Sequence, residues 1–201
     1  MAGWTRHEGR AVHLPQDNVD TDQLIPARFM STPRVQGYGE FLLHDMRRDA
    51  AGVLRPEFPL NGVEPASILI AGRNFGTGSS REAAVYALVD AGFRAVIAPG
   101  FGDIFAANAV NNGLLPARLA EREITALAGA VGGGDARVSI DLDNCEIHAA
   151  GQVFAFALDE MWREKLIRGW DDIDLTLQHA AQIRTYRERR VADMAWLLPD
   201  D

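Results

Sequence analysis

The fold is decided by Ser67-Ile68-Leu69-Ile70-Ala71 and by the run that follows it, Gly72-Arg73-Asn74-Phe75-Gly76-Thr77-Gly78-Ser79-Ser80-Arg81-Glu82. The first stretch is apolar and β-branched and reads as a buried strand, and Ala83-Ala84-Val85-Tyr86-Ala87-Leu88-Val89 beyond the run reads as a helix. The glycine-rich run is therefore a strand-to-helix turn. Such a turn gathers unpaired backbone N–H groups and the positive end of a helix dipole, which suits an anionic ligand. Its glycines let the backbone approach that ligand, Ser79 or Ser80 can cap the helix, and Arg81 can grip a carboxylate with two parallel hydrogen bonds. The run reads either as an oxyanion site with a nucleophile or base inside it, or as a glycine-rich turn with ordinary serine caps.

Two phosphate loops are excluded. The nucleotide P-loop needs a lysine directly after its last glycine, where this chain has Ser79 after Gly78. The dinucleotide fingerprint needs a small third residue, and Gly76-x-Gly78-x-x-Arg81 places a long cation there.

Downstream, Arg94-Ala95-Val96-Ile97-Ala98 is a second apolar β-rich run, so the unit is β-α-β with parallel strands. A second helix is expected from Gly102-Asp103 to Asn111-Asn112-Gly113, then an edge strand around Leu114–Ala117 because Pro116 cannot donate to a ladder. Leu119 to Val131 reads as a helix stopped by Gly132-Gly133-Gly134. Val138, Ile140 and Leu142 alternate with polar residues, and Asp143-Asn144 turns them into Cys145-Glu146-Ile147-His148, a half-buried hairpin. Val153 to Ala157 adds a strand, Asp159 to Arg168 an amphipathic helix ended by Gly169, and Leu175 to Arg190 one further helix opening near Asp171-Asp172.

Upstream, Arg10 to Leu14 reads as a short strand. Asp17-Asn18-Val19-Asp20-Thr21-Asp22 crowds three carboxylates, but the glycine and distal glutamate of an EF-hand loop are missing, so it reads as an Asx-rich turn before a short helix at Pro26 to Met30. Residues 31–65 are punctuated by glycine and proline and form the region expected to change shape with a partner or ligand. Residues 191–201 are expected to be a mobile tail or a docking strip.

A chain of 201 residues suffices for one domain with a substantial core. The net charge of −8 argues against nucleic acid or an anionic membrane as partner, so an anionic substrate must be met by a local basic pocket. No stretch has the apolar length of a signal peptide core or a membrane span, and a cytoplasmic location is expected. The single cysteine, Cys145, allows no internal disulfide and cannot hold an iron–sulfur cluster alone.

Taken together, Asp20-Thr21-Asp22-Gln23-Leu24-Ile25-Pro26, the Gly72–Glu82 run, the Phe101–Pro116 segment and Gly169 through Thr176 resemble the 3-isopropylmalate dehydratase small subunits of the aconitase superfamily. The resemblance covers nearly the whole chain in order. It implies an α/β fold, the swivelling β/β/α domain, with a β-α-β core and an added hairpin over residues 1–201. It also implies a large-subunit partner that carries a [4Fe-4S] cluster, with no metal bound by this chain, and a small hydroxy-dicarboxylic acid as substrate.

Residue by residue, the resemblance makes Ser79 the base, as its alkoxide, and Ser80 and Arg81 the binders of a substrate carboxylate. Asn74 and Gly78 belong to the loop around that substrate. Asp22 projects toward the shared interface or serves as a structural N-cap. The Phe29-Met30-Ser31-Thr32 segment faces the substrate's variable group, and Ser31 stands where relatives acting on carboxylate-bearing acids have an arginine. Arg28 and Arg34 lie close by in sequence. The expected reaction is the interconversion of 2-isopropylmalate and 3-isopropylmalate in leucine biosynthesis. Citramalate or citraconate, dimethylmaleate and homoaconitate are alternative acids, and a non-catalytic anion- or nucleotide-binding domain is the alternative class.

Overall fold

The computed structural model describes residues 2–61, 65–132, 137–194 and 196. Seven strands make one sheet: β1 (Arg6–Leu14), β2 (Ile68–Ala71), β3 (Ala95–Ala98), β4 (Leu115–Arg118), β5 (Arg137–Asp141), β6 (Glu146–Ala149) and β7 (Gln152–Ala155). Their order is β4-β3-β2-β1-β5-β6-β7. The first four strands are parallel and the last three antiparallel, with β1 as the seam. β1 is longer than the Arg10–Leu14 expectation because each half serves a different neighbour: Arg6–Arg10 pair with β5, and Ala11–Leu14 with β2.

The sheet curls until its edges meet, as an antiparallel bridge joins Arg118, the last residue of β4, to Ala157 beyond β7. Every residue of β2 and β3 is buried, which is why both read as unbroken apolar runs and not as alternating ones. Leu69, Ala71, Val96 and Ala98 face a core shared with α3 (Glu82–Asp90) and α4 (Asp103–Asn111). Ile68, Ile70, Ala95 and Ile97 face the opposite core, shared with the hairpin's Val138, Ile140 and Ile147 and with α5 (Glu121–Gly132).

Between β1 and β2 the expected helix at Pro26–Met30 is replaced by two pieces: α1 (Thr21–Leu24) and a 3-10 turn over Ala27–Ser31. The break falls at Ile25, extended at φ −143°, because a residue before proline is pushed out of the helical region. Residues 31–61 continue through 3-10 turns at Arg34–Gln36 and Gly39–Phe41 and then α2 (His44–Arg47).

At the carboxyl end, α6 (Glu160–Arg168) starts on the Asp159 side chain and stops at Gly169, φ 73°. The helix expected over Leu175–Arg190 is two helices, α7 (Asp172–Leu177) and α8 (Ala180–Asp193). Bonds from Gln178 and His179 N–H to carbonyls three residues back tighten the end of α7 and turn the chain. The buried Lys165 donates to Asn111 and, at 2.7 Å, to Asp172, tying α4, α6 and α7 together. Of the expected glycine stop, Gly132 ends α5 while Gly133 and Gly134 lie outside the described residues; of the expected tail, residues 191–193 continue α8 and most of the rest lies outside the described residues. Among the described residues no helix is long and apolar enough to cross a membrane.

Candidate functional site

The glycine loop leaves the carboxyl end of β2, at the edge of the sheet where β1 and β3 also end. Open α/β sheets place ligands at this edge. Phe75 fixes the loop's base. It is fully buried, makes edge contacts with Phe101 and Phe105, and exchanges hydrogen bonds with Gly100 O and Gly102 N. Such ring pairs contribute about 0.5–1.5 kcal/mol each beyond the area they bury. At φ 73°, Gly76 passes so close to Phe105 that a Cβ would overlap the ring.

A second segment, distant in sequence, clasps the loop from outside. Asn18 N–H donates to Arg73 O at 2.8 Å, Gly76 N–H to Val19 O at 2.7 Å, and Thr21 N–H to Thr77 O at 2.9 Å. Asn74 stands at φ 56° and its amide donates to Asn18 Oδ1 at 2.8 Å. The buried Thr21 hydroxyl donates to Ser79 O at 3.0 Å, and that carbonyl also accepts from Arg81 N at 2.7 Å. Ser79 is thus fixed through its backbone while its side chain faces out. Gly78 adopts φ 99°, open to glycine but strained for any side chain, beside Asp20 and Thr21.

Sequence reasoning named the two segments separately and missed this clasp, with Asn18 and Thr21 as its working residues. One signal was legible: Asp20-x-x-Gln23 is a capping box, in which Asp20 accepts from Gln23 N at 2.7 Å and Gln23 returns a bond to Asp20 N at 3.0 Å. Asp20 is therefore the N-cap of α1, and Asp22 is free to point outward. There it pairs with Arg81, whose side chain is only 21 % exposed.

The serine caps expected for α3 are absent. Its N-cap is Arg81, extended at φ −99° and ψ 105° as N-caps are, but a guanidinium has no acceptor to offer the first turn, and no side-chain cap bond forms. Ser79 and Ser80 are both exposed, and among the described residues neither hydroxyl has a hydrogen-bond partner. A helix start left uncapped presents its first N–H groups and its dipole to whatever sits in front of it.

Asn74, Gly78, Ser79, Ser80 and Arg81 lie along one loop, where Asn74 is turned to Asn18 and Asp22 meets the loop at Arg81. Phe29, Met30 and Ser31 lie on the 3-10 turn that follows α1. Phe29 turns inward and stacks on Phe41, with ring centroids 4.3 Å apart, while Met30 and Ser31 are exposed. Cys145 lies elsewhere, in the turn after β5, at the end of the sheet opposite the glycine loop. Burial pushes its thiol pKa up. A single thiol in that position does not fit an iron–sulfur cluster, and among the described residues no three His, Cys, Asp or Glu side chains are grouped to hold a metal ion.

Residues 1–122 match the aconitase C-terminal domain family, and residues 172–200 match the family of C-terminal domains of 3-isopropylmalate dehydratase small subunits. A 3-isopropylmalate dehydratase small subunit from Shewanella oneidensis is 46 % identical over 195 residues, spanning 94 % of this chain and 97 % of that protein. The chain belongs to the 3-isopropylmalate dehydratase small-subunit family. A family member from Shouchella clausii is 44 % identical over 92 % of this chain and 95 % of its own length. The solved structure of a 3-isopropylmalate dehydratase from Methanocaldococcus jannaschii is 28 % identical, with a TM-score of 0.64 over 90 % of this chain and 99 % of that one. The α/β architecture with its curled sheet agrees with that of the small-subunit family.

Proposed function

We propose that this chain is the small subunit of a hydro-lyase that interconverts 2-isopropylmalate and 3-isopropylmalate through the dehydrated alkene, for leucine biosynthesis in the cytoplasm. The observation that carries the reading is the clasped loop: in a member of this family, Ser79 is held by its carbonyl while its hydroxyl, that of Ser80 and the Arg81 guanidinium stand at one open mouth.

In this reading Ser79 Oγ takes the proton from the substrate carbon in one direction and returns it in the other. A serine hydroxyl is far too weak an acid to do so unaided at neutral pH. It needs N–H donors and a cation to stabilise the alkoxide. The uncapped start of α3, the loop amides and Arg81 are groups of that kind. Ser80 and the nitrogens of Arg81 not turned to Asp22 bind a substrate carboxylate, and Asn74 and Gly78 hold the loop in the conformation that permits it. Asp22, exposed beside Arg81, aligns that guanidinium and meets a basic group of the partner.

The cluster implied by the family is assigned to the large subunit, since this chain's donor set does not fit it. The site is therefore completed only in the complex. Met30 and Ser31 are the exposed residues of the segment proposed to face the isopropyl branch, with Phe29 as its half-buried footing. Purified alone, the chain should turn over neither acid. Combined with the large subunit encoded in the same genome, it should interconvert both, and a complex inert toward both while converting another hydroxy-acid would replace this substrate assignment.

A further inference from the structure

We propose that Asp45 is a specificity-determining residue: by engaging the Arg28 guanidinium it withholds a cation from the part of the site that faces the substrate's branch. An apolar branch is thereby accepted and a carboxylate-bearing one disfavoured. The inference rests on the proposed function above, in which Met30 and Ser31 face that branch.

Two arginines flank the segment, and each is bound by a carboxylate of this chain. Arg34 gives Asp90 two hydrogen bonds, at 3.1 and 2.8 Å, and lies 3.6 Å over the Tyr86 ring. Arg28, within the same 3-10 turn as Met30 and Ser31, gives Asp45 two hydrogen bonds, one from each terminal nitrogen. His44 Nδ1 stands 2.9 Å from the same carboxylate. The Arg28 guanidinium lies 4.5 Å over the Phe29 ring, which stacks in turn on Phe41. Arg28 and then His44 hold Asp45 well below the usual carboxylate range, so it stays charged wherever the protein is folded near neutrality.

An isolated surface ion pair contributes little, because two flexible side chains must be immobilised in water. Here the geometry is over-determined by a bidentate fork, a second donor and a ring beneath the guanidinium. Arg28 sits four residues beyond Leu24, the last residue of α1, whose first turn meets Thr77 and Ser79. A released guanidinium there would attract a third substrate carboxylate. It would also lose hydration against a bare isopropyl group, a cost with no compensating bond. Withholding it sets the difference between two substrates without adding a contact to either.

The test uses the complex with the large subunit and compares 3-isopropylmalate with isocitrate, which carries a carboxymethyl group where the isopropyl stands. Asp45→Asn should raise the isocitrate-to-isopropylmalate ratio of kcat/KM by at least about tenfold, through the KM for isocitrate. Adding Arg28→Gln to that variant should return the ratio to the parental one. An unchanged ratio in Asp45→Asn with 3-isopropylmalate turnover retained would overturn the proposal. Arg28→Gln alone removes the cation itself and leaves the Asp45 carboxylate beside His44, so no cation becomes available and its ratio should not rise beyond about twofold of the parent. A larger loss on 3-isopropylmalate would mean that Arg28 touches the substrate, and the proposal would be wrong. If the parental complex does not act on 3-isopropylmalate, the functional reading fails before any variant is made.

Discussion

Two turns, one in each half of the sheet, solve the same backbone problem in opposite ways. After β5, Asp141 accepts hydrogen bonds from Asp143 N at 2.9 Å, Asn144 N at 3.1 Å, the Asn144 amide at 3.2 Å and Arg6 Nε at 3.0 Å. That hairpin turn folds its own Asp141 side chain onto its own backbone, with Arg6, Arg163 and the Thr5 carbonyl adding bonds from other elements. After β2, the glycine loop is held largely from outside by residues 16–21, which leaves the Ser79 and Ser80 hydroxyls without hydrogen bonds among the described residues and α3 without a side-chain cap. An antiparallel pair can be joined by a tight turn that closes on its own side chains, whereas a parallel crossover opens at the carboxyl edge. Where the support comes from a distant segment, the loop's own polar groups remain available for chemistry.

The sharpest way to break this contrast is Ser79→Ala. The hydroxyl is exposed and makes no hydrogen bond among the described residues, so removing it should leave the unfolding free energy within about 0.5 kcal/mol of the parent. Turnover by the complex should fall by roughly a thousand-fold or more, the scale expected for a lost general base. A melting curve and a steady-state assay on one preparation measure both. Near-parental turnover would return the loop to the standing of a plain turn.

Gly76→Ala is next in size and acts on stability. The new Cβ meets the Phe105 ring at a backbone angle of φ 73° that side chains rarely adopt. Overpacking and left-handed strain together should cost about 2–4 kcal/mol, read by denaturant unfolding. The ring cannot yield easily, since Phe75 and Phe101 pack against it.

What could be read in advance follows the same division. β2, β3, α3, α4 and the β5–β6 hairpin are local patterns, each set by a few adjacent side chains, and all stood out in the sequence. The clasp between Asn18 or Thr21 and the glycine loop did not, because periodicity carries no information about partners more than fifty residues away. Nor did the Arg118–Ala157 closure of the sheet. The serine caps failed for a related reason. Ser79 has the right chemistry for an N-cap, but its carbonyl is already held by Thr21 and Arg81, and the helix begins only at Glu82. The candidate residues of the glycine loop stand together in one motif, while the Arg28–Asp45 and Arg34–Asp90 pairs needed coordinates.

The turn after β5 makes a pH prediction. The Asn144 N–H, then its amide and Arg6, hold Asp141 below the ordinary carboxylate pKa despite the opposing effect of burial. A depressed folded-state pKa means that the stability it contributes is fully present above the unfolded value, about 3.9, and is lost as pH falls through the lower folded value. Asp141→Asn should therefore melt below the parent at pH 7, and the two melting curves should draw together below about pH 4. A gap that stays constant with pH would show that shape, and not charge, closes this turn.

The smallest effect is expected at Gly151, in the turn between β6 and β7. Its φ of 77° is close to that of Gly76, yet a Cβ built there meets nothing within 4 Å. Gly151→Ala isolates the backbone term that Gly76→Ala combines with a clash, and should cost only about 1 kcal/mol. Gly151→Asn should cost less still, since asparagine tolerates the left-handed region that this two-residue hairpin requires. The difference between the two glycine-to-alanine variants then measures how tightly the phenylalanines grip the functional loop. If both variants lose the same stability, Phe105 moves aside freely, and the rigidity attributed to the loop's base is not there.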